Sequence, residues 1–112
     1  MTETIFSKII RKEIPAKIVY ETDTILAFHD IHPKAPIHIL IIPKIEIPSV
    51  RELASREHAF LLGDLFDAAN KIAEIFGVKE KGFRLIFNCG PDGGQEVYHL
   101  HMHLLAGKKL GF

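Results

Sequence analysis

Apolar positions recur along the chain with two different periods. Ile5, Phe6, Ile9 and Ile10 fall at helical spacing and predict a short amphipathic helix that ends before Pro15. Residues 17–21 and 24–29 are short, rich in β-formers and parted by Glu21-Thr22-Asp23, which predicts two paired strands. A third strand is expected from His38 to Ile42. It is almost wholly apolar and is entered through Pro33-Lys34-Ala35-Pro36.

Ser49-Val50-Arg51-Glu52 has the form of a capping box, in which Ser49 and Glu52 would satisfy free amides of a new helix. The main helix is expected from about Arg56 to Phe76, with Phe60, Leu61, Leu65, Ala69, Ile72, Ala73 and Phe76 as its apolar stripe. Gly77 stands where a left-handed residue would stop it. Strand four is expected at about Phe83 to Asn88 and strand five at about Val97 to Leu105. Two helices and about five strands, partly in hairpin order, predict an α+β fold around an antiparallel sheet.

Composition narrows the possible partners. With 112 residues the chain suits one domain, read here as residues 1–112, and 47% hydrophobic residues suffice for an ordinary core. Fourteen basic and fourteen acidic residues cancel, so the basic excess of a nucleic-acid polymer binder is absent. The longest aliphatic run, Ile39 to Ile42, is too short to span a bilayer. The start of the chain lacks the pattern of a secretory signal, and one cysteine, Cys89, forms no internal disulfide. Together these point to a cytoplasmic protein.

The chemistry concentrates in His99-Leu100-His101-Met102-His103. Side chains alternate along a strand, so the three imidazoles are expected on one face and Leu100, Met102 and Leu104 on the core side. A metal is the rival reading, since imidazole is a common zinc ligand. His99 and His103 would lie roughly 13 Å apart along a strand, too far to converge on one ion, although a pair with His38 stays open. The favoured reading is catalysis without a metal or cofactor. A neutral imidazole can attack phosphorus while its neighbours orient it or serve the leaving group.

Asn88-Cys89-Gly90-Pro91-Asp92-Gly93-Gly94-Gln95 precedes this run. Its glycines permit positive φ and close backbone approach, and amides in such a turn can cradle an anion. The segment is no Walker loop, because Gly-Lys-Ser/Thr is missing. Cys89 reads as a small buried residue rather than a nucleophile.

His99-Leu100-His101-Met102-His103-Leu104-Leu105 resembles the signature of the histidine-triad (HIT) superfamily. Gly93-Gly94-Gln95-Glu96-Val97-Tyr98, Phe28-His29-Asp30-Ile31, Ala35-Pro36-Ile37-His38 and the opening Thr4-Ile5-Phe6-Ser7-Lys8-Ile9-Ile10 are similar to its Hint branch. The resemblance covers nearly the whole chain. It implies a HIT-like fold, a homodimer, and hydrolysis of adenosine or guanosine phosphoramidates such as lysine-AMP or aminoacyl adenylates. It also implies His101 as the nucleophile, with His103, His99 and His38 in support. Asp30 would take the ribose hydroxyls, while Phe6, Ile9, Phe28, His29, Ile31 and Leu40 would form the base pocket. Asn88, Gly94, Gln95 and Glu96 would surround the phosphate.

One departure bears on specificity. Animal members of the Hint branch carry serine where this chain has Glu96, and a carboxylate there would attract a cationic amine. Dinucleoside polyphosphate hydrolysis is the nearest enzymatic alternative. A nucleotide- or zinc-binding regulatory module with little turnover is the alternative of another class.

Overall fold

The computed structural model describes residues 3–54 and 56–112. The chain opens with α1 (Ile5–Ile10), a helix too short to persist alone. Thr4 and Ser7 cap it reciprocally: each backbone N–H donates to the other's hydroxyl, at 3.2 and 3.3 Å. Phe6 and Ile9 then bury its inner face.

Five strands follow: β1 (Ile18–Glu21), β2 (Ile25–His29), β3 (Ile37–Pro43), β4 (Arg84–Phe87) and β5 (Met102–Ala106). They form one antiparallel sheet in the order β1-β2-β3-β5-β4. β3 lies at its centre and is covered on both sides, which explains the unbroken apolar run of Ile39 to Ile42.

Alternation along β2, β3 and β5 sorts the core into two layers. Ile25, Ala27, Ile39, Ile41, Met102 and Leu104 meet α2 (Ala59–Ile75), whose contribution is Leu61, Leu65, Ala68, Ala69 and Ile72. Leu26, Phe28, Leu40 and Ile42 face the other way and receive Phe6 and Ile9 of α1. Gly77 stops α2 with a φ of 67°.

Three sequence expectations change. The Ser49 box starts no long helix; it closes a single 3-10 turn over Val50–Glu52. The Ser49 hydroxyl donates to Glu52 Oε1 at 2.5 Å and accepts from the Arg51 amide, so Glu52 is engaged by a hydroxyl instead of an amide. The main helix accordingly begins at Ala59. Phe60 is 56% exposed, and Ala68 takes a place in the buried stripe. Successive helical residues differ by about 100° in direction, which turns Phe60 away from the seam that Leu61 occupies. Finally, β5 starts at Met102, and residues 97–101 form no ladder. Their path is fixed instead by bonds such as Leu100 N–H to the Ile47 carbonyl, 2.6 Å.

Candidate active site

A cleft of about 1200 Å³ opens on the α1 side of the sheet. Its floor follows from strand register. His103 lies across from Leu40 on one side and Ile86 on the other, while His38 lies across from Leu105. His38 and Leu40 point to one face because they alternate with Ile39, and β5 presents His103 and Leu105 beside them. His101 enters the same cleft from just before β5.

Neutral imidazole has one N–H and one lone pair, and the partners of each ring decide where they go. His101 Nδ1 lies 2.7 Å from the backbone carbonyl of His99, which can only accept. Nδ1 therefore bears the hydrogen, and Nε2 holds the lone pair. His38 is fixed in the opposite sense. Its Nδ1 accepts the Lys34 amide N–H at 3.0 Å, so its hydrogen sits on Nε2. That hydrogen is donated to His103 Nδ1, 2.9 Å away. His103 must then carry its own hydrogen on Nε2. The Asn88 Nδ2 that stands 3.5 Å away is itself a donor, so this assignment requires the Asn88 carboxamide to turn its oxygen toward the ring. Of the run's two imidazoles that line the cleft, His101 thus offers a basic nitrogen and His103 an N–H donor.

Electrostatics keep these rings neutral. Burial lowers the pKa of His38, His99 and His101, in each case as the largest cause. His103 is pushed down to about 4, first by burial and then by the neighbouring His101 and His38. Asp30 opposes this drift at His38, His101 and His103 without reversing it.

Asp30 has two jobs. Oδ1 accepts the His32 amide at 2.7 Å and closes the turn after β2, while Oδ2 lies 3.4 Å from His38 Nε2. Its carboxylate lines the cleft as well. The donor atoms of Asp30, His38 and His103 all fall within 4.8 Å of one another, the spacing of a possible metal seat. The hydrogen on His38 Nε2 works against that use. A metal-bound imidazole needs its lone pair at the ion and its N–H on an outer acceptor, whereas His38 has the reverse arrangement, imposed by a backbone donor.

The apolar end of the cleft is lined by Phe6, Ile9, Phe28 and Leu40. Phe6 packs edge-on to Phe28, with ring centroids 5.6 Å apart, and to His101, at 5.1 Å. Ile31 lies at the rim and is 84% exposed. Asn88, Gly94 and Glu96 line the polar end. Gly93 packs so closely that a Cβ there would come within 2.3 Å of the Cys89 carbonyl oxygen, and Gly94 has a φ of 80°. Only glycine suits this tight loop.

Three expected site residues are placed differently. His99 does not line the cleft: its Nε2–H donates to the Pro43 carbonyl at 2.8 Å, and the ring packs edge-on to Phe6. Its contribution to the site is the carbonyl that orients His101. Gln95 is buried outside the cleft lining. Its Oε1 accepts Gly90 N–H, and its Nε2 donates to the Pro48 and Val97 carbonyls, which satisfies the amide internally. His29 borders the cleft, but its ring packs against Phe76 on the α2 side because it alternates with Phe28. Sequence reasoning missed the Lys34 amide. A backbone donor leaves no side-chain signature, although the Pro-bounded turn just before His38 marks where one could stand.

Comparison with known proteins agrees with this architecture. Residues 11–110 match the HIT domain family model. The purine nucleoside phosphoramidase of Escherichia coli K12 is 60% identical over 109 residues, covering 97% of this chain and 91% of that protein. A HIT family hydrolase from Legionella pneumophila superposes with a TM-score of 0.95 at 44% identity, over 98% of this chain and 97% of that one. A histidine triad protein from Clostridium difficile gives 0.94 at 47% identity, over 100% and 98%.

Proposed function

The chain belongs to the HIT domain family, and on that premise we propose that it hydrolyses purine nucleoside phosphoramidates through a covalent nucleotidyl-His101 intermediate. The substrates would be AMP or GMP joined to an amine, as in lysine-AMP. The observation that carries this reading is the free lone pair of His101 Nε2, held in a cleft by the His99 carbonyl. Similarity to the E. coli phosphoramidase supports the substrate class.

In the first half-reaction Nε2 attacks the α-phosphorus as the phosphorus–nitrogen bond breaks. The departing nitrogen takes a hydrogen bond from His103 Nε2–H and one proton from solvent, and leaves as the amine. Water then attacks phosphorus, Nε2 leaves, and the released nucleoside monophosphate and proton restore the site. Positioning and donors aimed at developing charge supply most of the rate gain in such displacements.

Asp30 would accept from the ribose hydroxyls. Phe6, Ile9, Phe28 and Leu40, with Ile31 at the rim, would hold the base, and Asn88 with the backbone of Gly94 and Glu96 would flank the phosphate. We place the reaction in the cytoplasm, consistent with the single unpaired Cys89 and with no described helix long and apolar enough to cross a membrane. A homodimer of the single HIT domain fits the open edge of β4 and the exposed Phe60 and Phe66 of α2, and sedimentation at twice the chain mass tests it.

Turnover of adenosine 5′-phosphoramidate tests the activity. Wild type should release AMP, and His101→Ala should bind the nucleotide without turning it over. Nucleotide binding without turnover by wild type would instead identify a regulatory module.

A further inference from the structure

We propose that Asp30 and His103 compete for the single Nε2 hydrogen of His38, so that ribose binding at Asp30 strengthens the hydrogen-bond donor that His103 presents to the reacting phosphate. The inference rests on the nucleoside phosphoramidase reading of the same cleft. It extends that reading from where the ribose binds to what its hydroxyls do for turnover.

The distances define the competition. His38 Nε2 lies 2.9 Å from His103 Nδ1 and 3.4 Å from Asp30 Oδ2. Only Nε2 brings a hydrogen to this cluster, because the Lys34 amide occupies Nδ1 of the same ring. His103 accepts that hydrogen as the middle member of a chain: Lys34 N–H to His38, His38 N–H to His103, and His103 N–H to the cleft. Successive hydrogen bonds polarise one another in a low-dielectric interior. An anionic carboxylate beside the middle bond draws the hydrogen sideways and weakens the chain.

Asp30 already uses Oδ1 on the His32 amide. Hydroxyl donors from a ribose would satisfy the remaining lone pairs of the carboxylate and spread its charge. His38 would then give its hydrogen fully to His103, and His103 Nε2–H would become the stronger donor. A nucleotide with both hydroxyls would therefore switch on the donor needed for its own cleavage. A substrate lacking them would bind more weakly and, once bound, also react more slowly.

Nitrogen-15 NMR of the imidazoles tests the coupling at neutral pH, with saturating adenosine or 2′,3′-dideoxyadenosine as probe. Both probes place the same base in the cleft, so their difference isolates the hydroxyls. Adenosine should move the His103 Nδ1 signal further toward the protonated position than the dideoxy probe does. In Asp30→Asn, which lacks the anionic competitor, that difference should vanish. In wild-type turnover, the dideoxy phosphoramidate should lose kcat by roughly fivefold in addition to its rise in KM, the lower end of ordinary site-to-site coupling. Identical His103 signals with both probes at saturation, or a loss confined to KM, would overturn the coupling. Failure of adenosine to bind at any accessible concentration would overturn the nucleoside-site reading and the coupling with it.

Discussion

The Nδ1–H of His101 donates to the main-chain carbonyl of His99 at 2.7 Å, which commits the other nitrogen of His101 to the cleft as a base. A carbonyl cannot donate, so no rearrangement of hydrogens reverses that assignment while the bond persists. The third histidine of the run stands in a different relation to its neighbours, because it takes its hydrogen bond from His38.

Replacing His101 with asparagine should therefore abolish turnover, by at least about a thousandfold, the scale on which loss of a nucleophile is felt. The substitution removes the edge contact of His101 with Phe6 but leaves Phe6 packed on Phe28, so the thermal midpoint should change far less than the rate. Steady-state assay beside thermal denaturation separates the two. Retention of more than a tenth of wild-type activity would show that another group attacks.

Acid should destabilise the protein before it titrates most carboxylates. His38, His99, His101 and His103 are held below their ordinary pKa by burial, so the folded state resists protons that the unfolded chain accepts near pH 6.5. The unfolded state binds more protons in that range, and stability falls with pH until His103 itself protonates at about 4. Urea midpoints should drop from pH 7.5 to pH 5. The drop should be smaller in His103→Gln, and an equal drop would mean that other groups dominate.

Gln95 should matter for loop geometry and not as a phosphate ligand. Its amide ties Gly90 to Pro48 and Val97 inside the protein. Gln95→Leu should cost about 1–3 kcal/mol through the buried carbonyls and amide it leaves unpaired. The same change should lower kcat more than it raises KM, since the loop would be misplaced around an intact nucleoside pocket. Chemical denaturation and initial-rate kinetics check the two parts.

Glu96 should set the preferred leaving group. It is an exposed carboxylate at the polar end of the cleft. Changing Glu96 to Lys should shift relative kcat/KM from cationic toward anionic amine leaving groups. A shift of roughly five- to tenfold is expected at low salt and should shrink as salt rises. Competition between lysyl and glutamyl phosphoramidates of adenosine measures it, and unchanged ratios would remove Glu96 from the leaving-group path.

Much of this was legible because period and burial agree. The doubly buried β3 and the Leu61–Leu65–Ile72 seam announce themselves as an apolar run and a helical stripe. The His-x-His-x-His pattern likewise marks the cleft. What alternation could not convey is where the ladder ends. His99 and His101 lie before β5, on backbone steered by Ile47, and so three apparently equivalent imidazoles have three different partners. Capping chemistry also misled. A hydroxyl and a carboxylate three residues apart satisfy each other at Ser49 and Glu52, a local bond that competes with helix formation. The tautomers depend on main-chain groups of Lys34, His99 and Pro43, which the identity of those residues does not advertise.

Mass spectrometry of the enzyme during turnover tests the central claim most directly. After rapid alkaline quenching with adenosine 5′-phosphoramidate in excess, the chain should gain the mass of one nucleoside monophosphoryl group, mapped to His101 and absent in His101→Asn. Steady turnover with no adduct, or an adduct on any other residue, would contradict it.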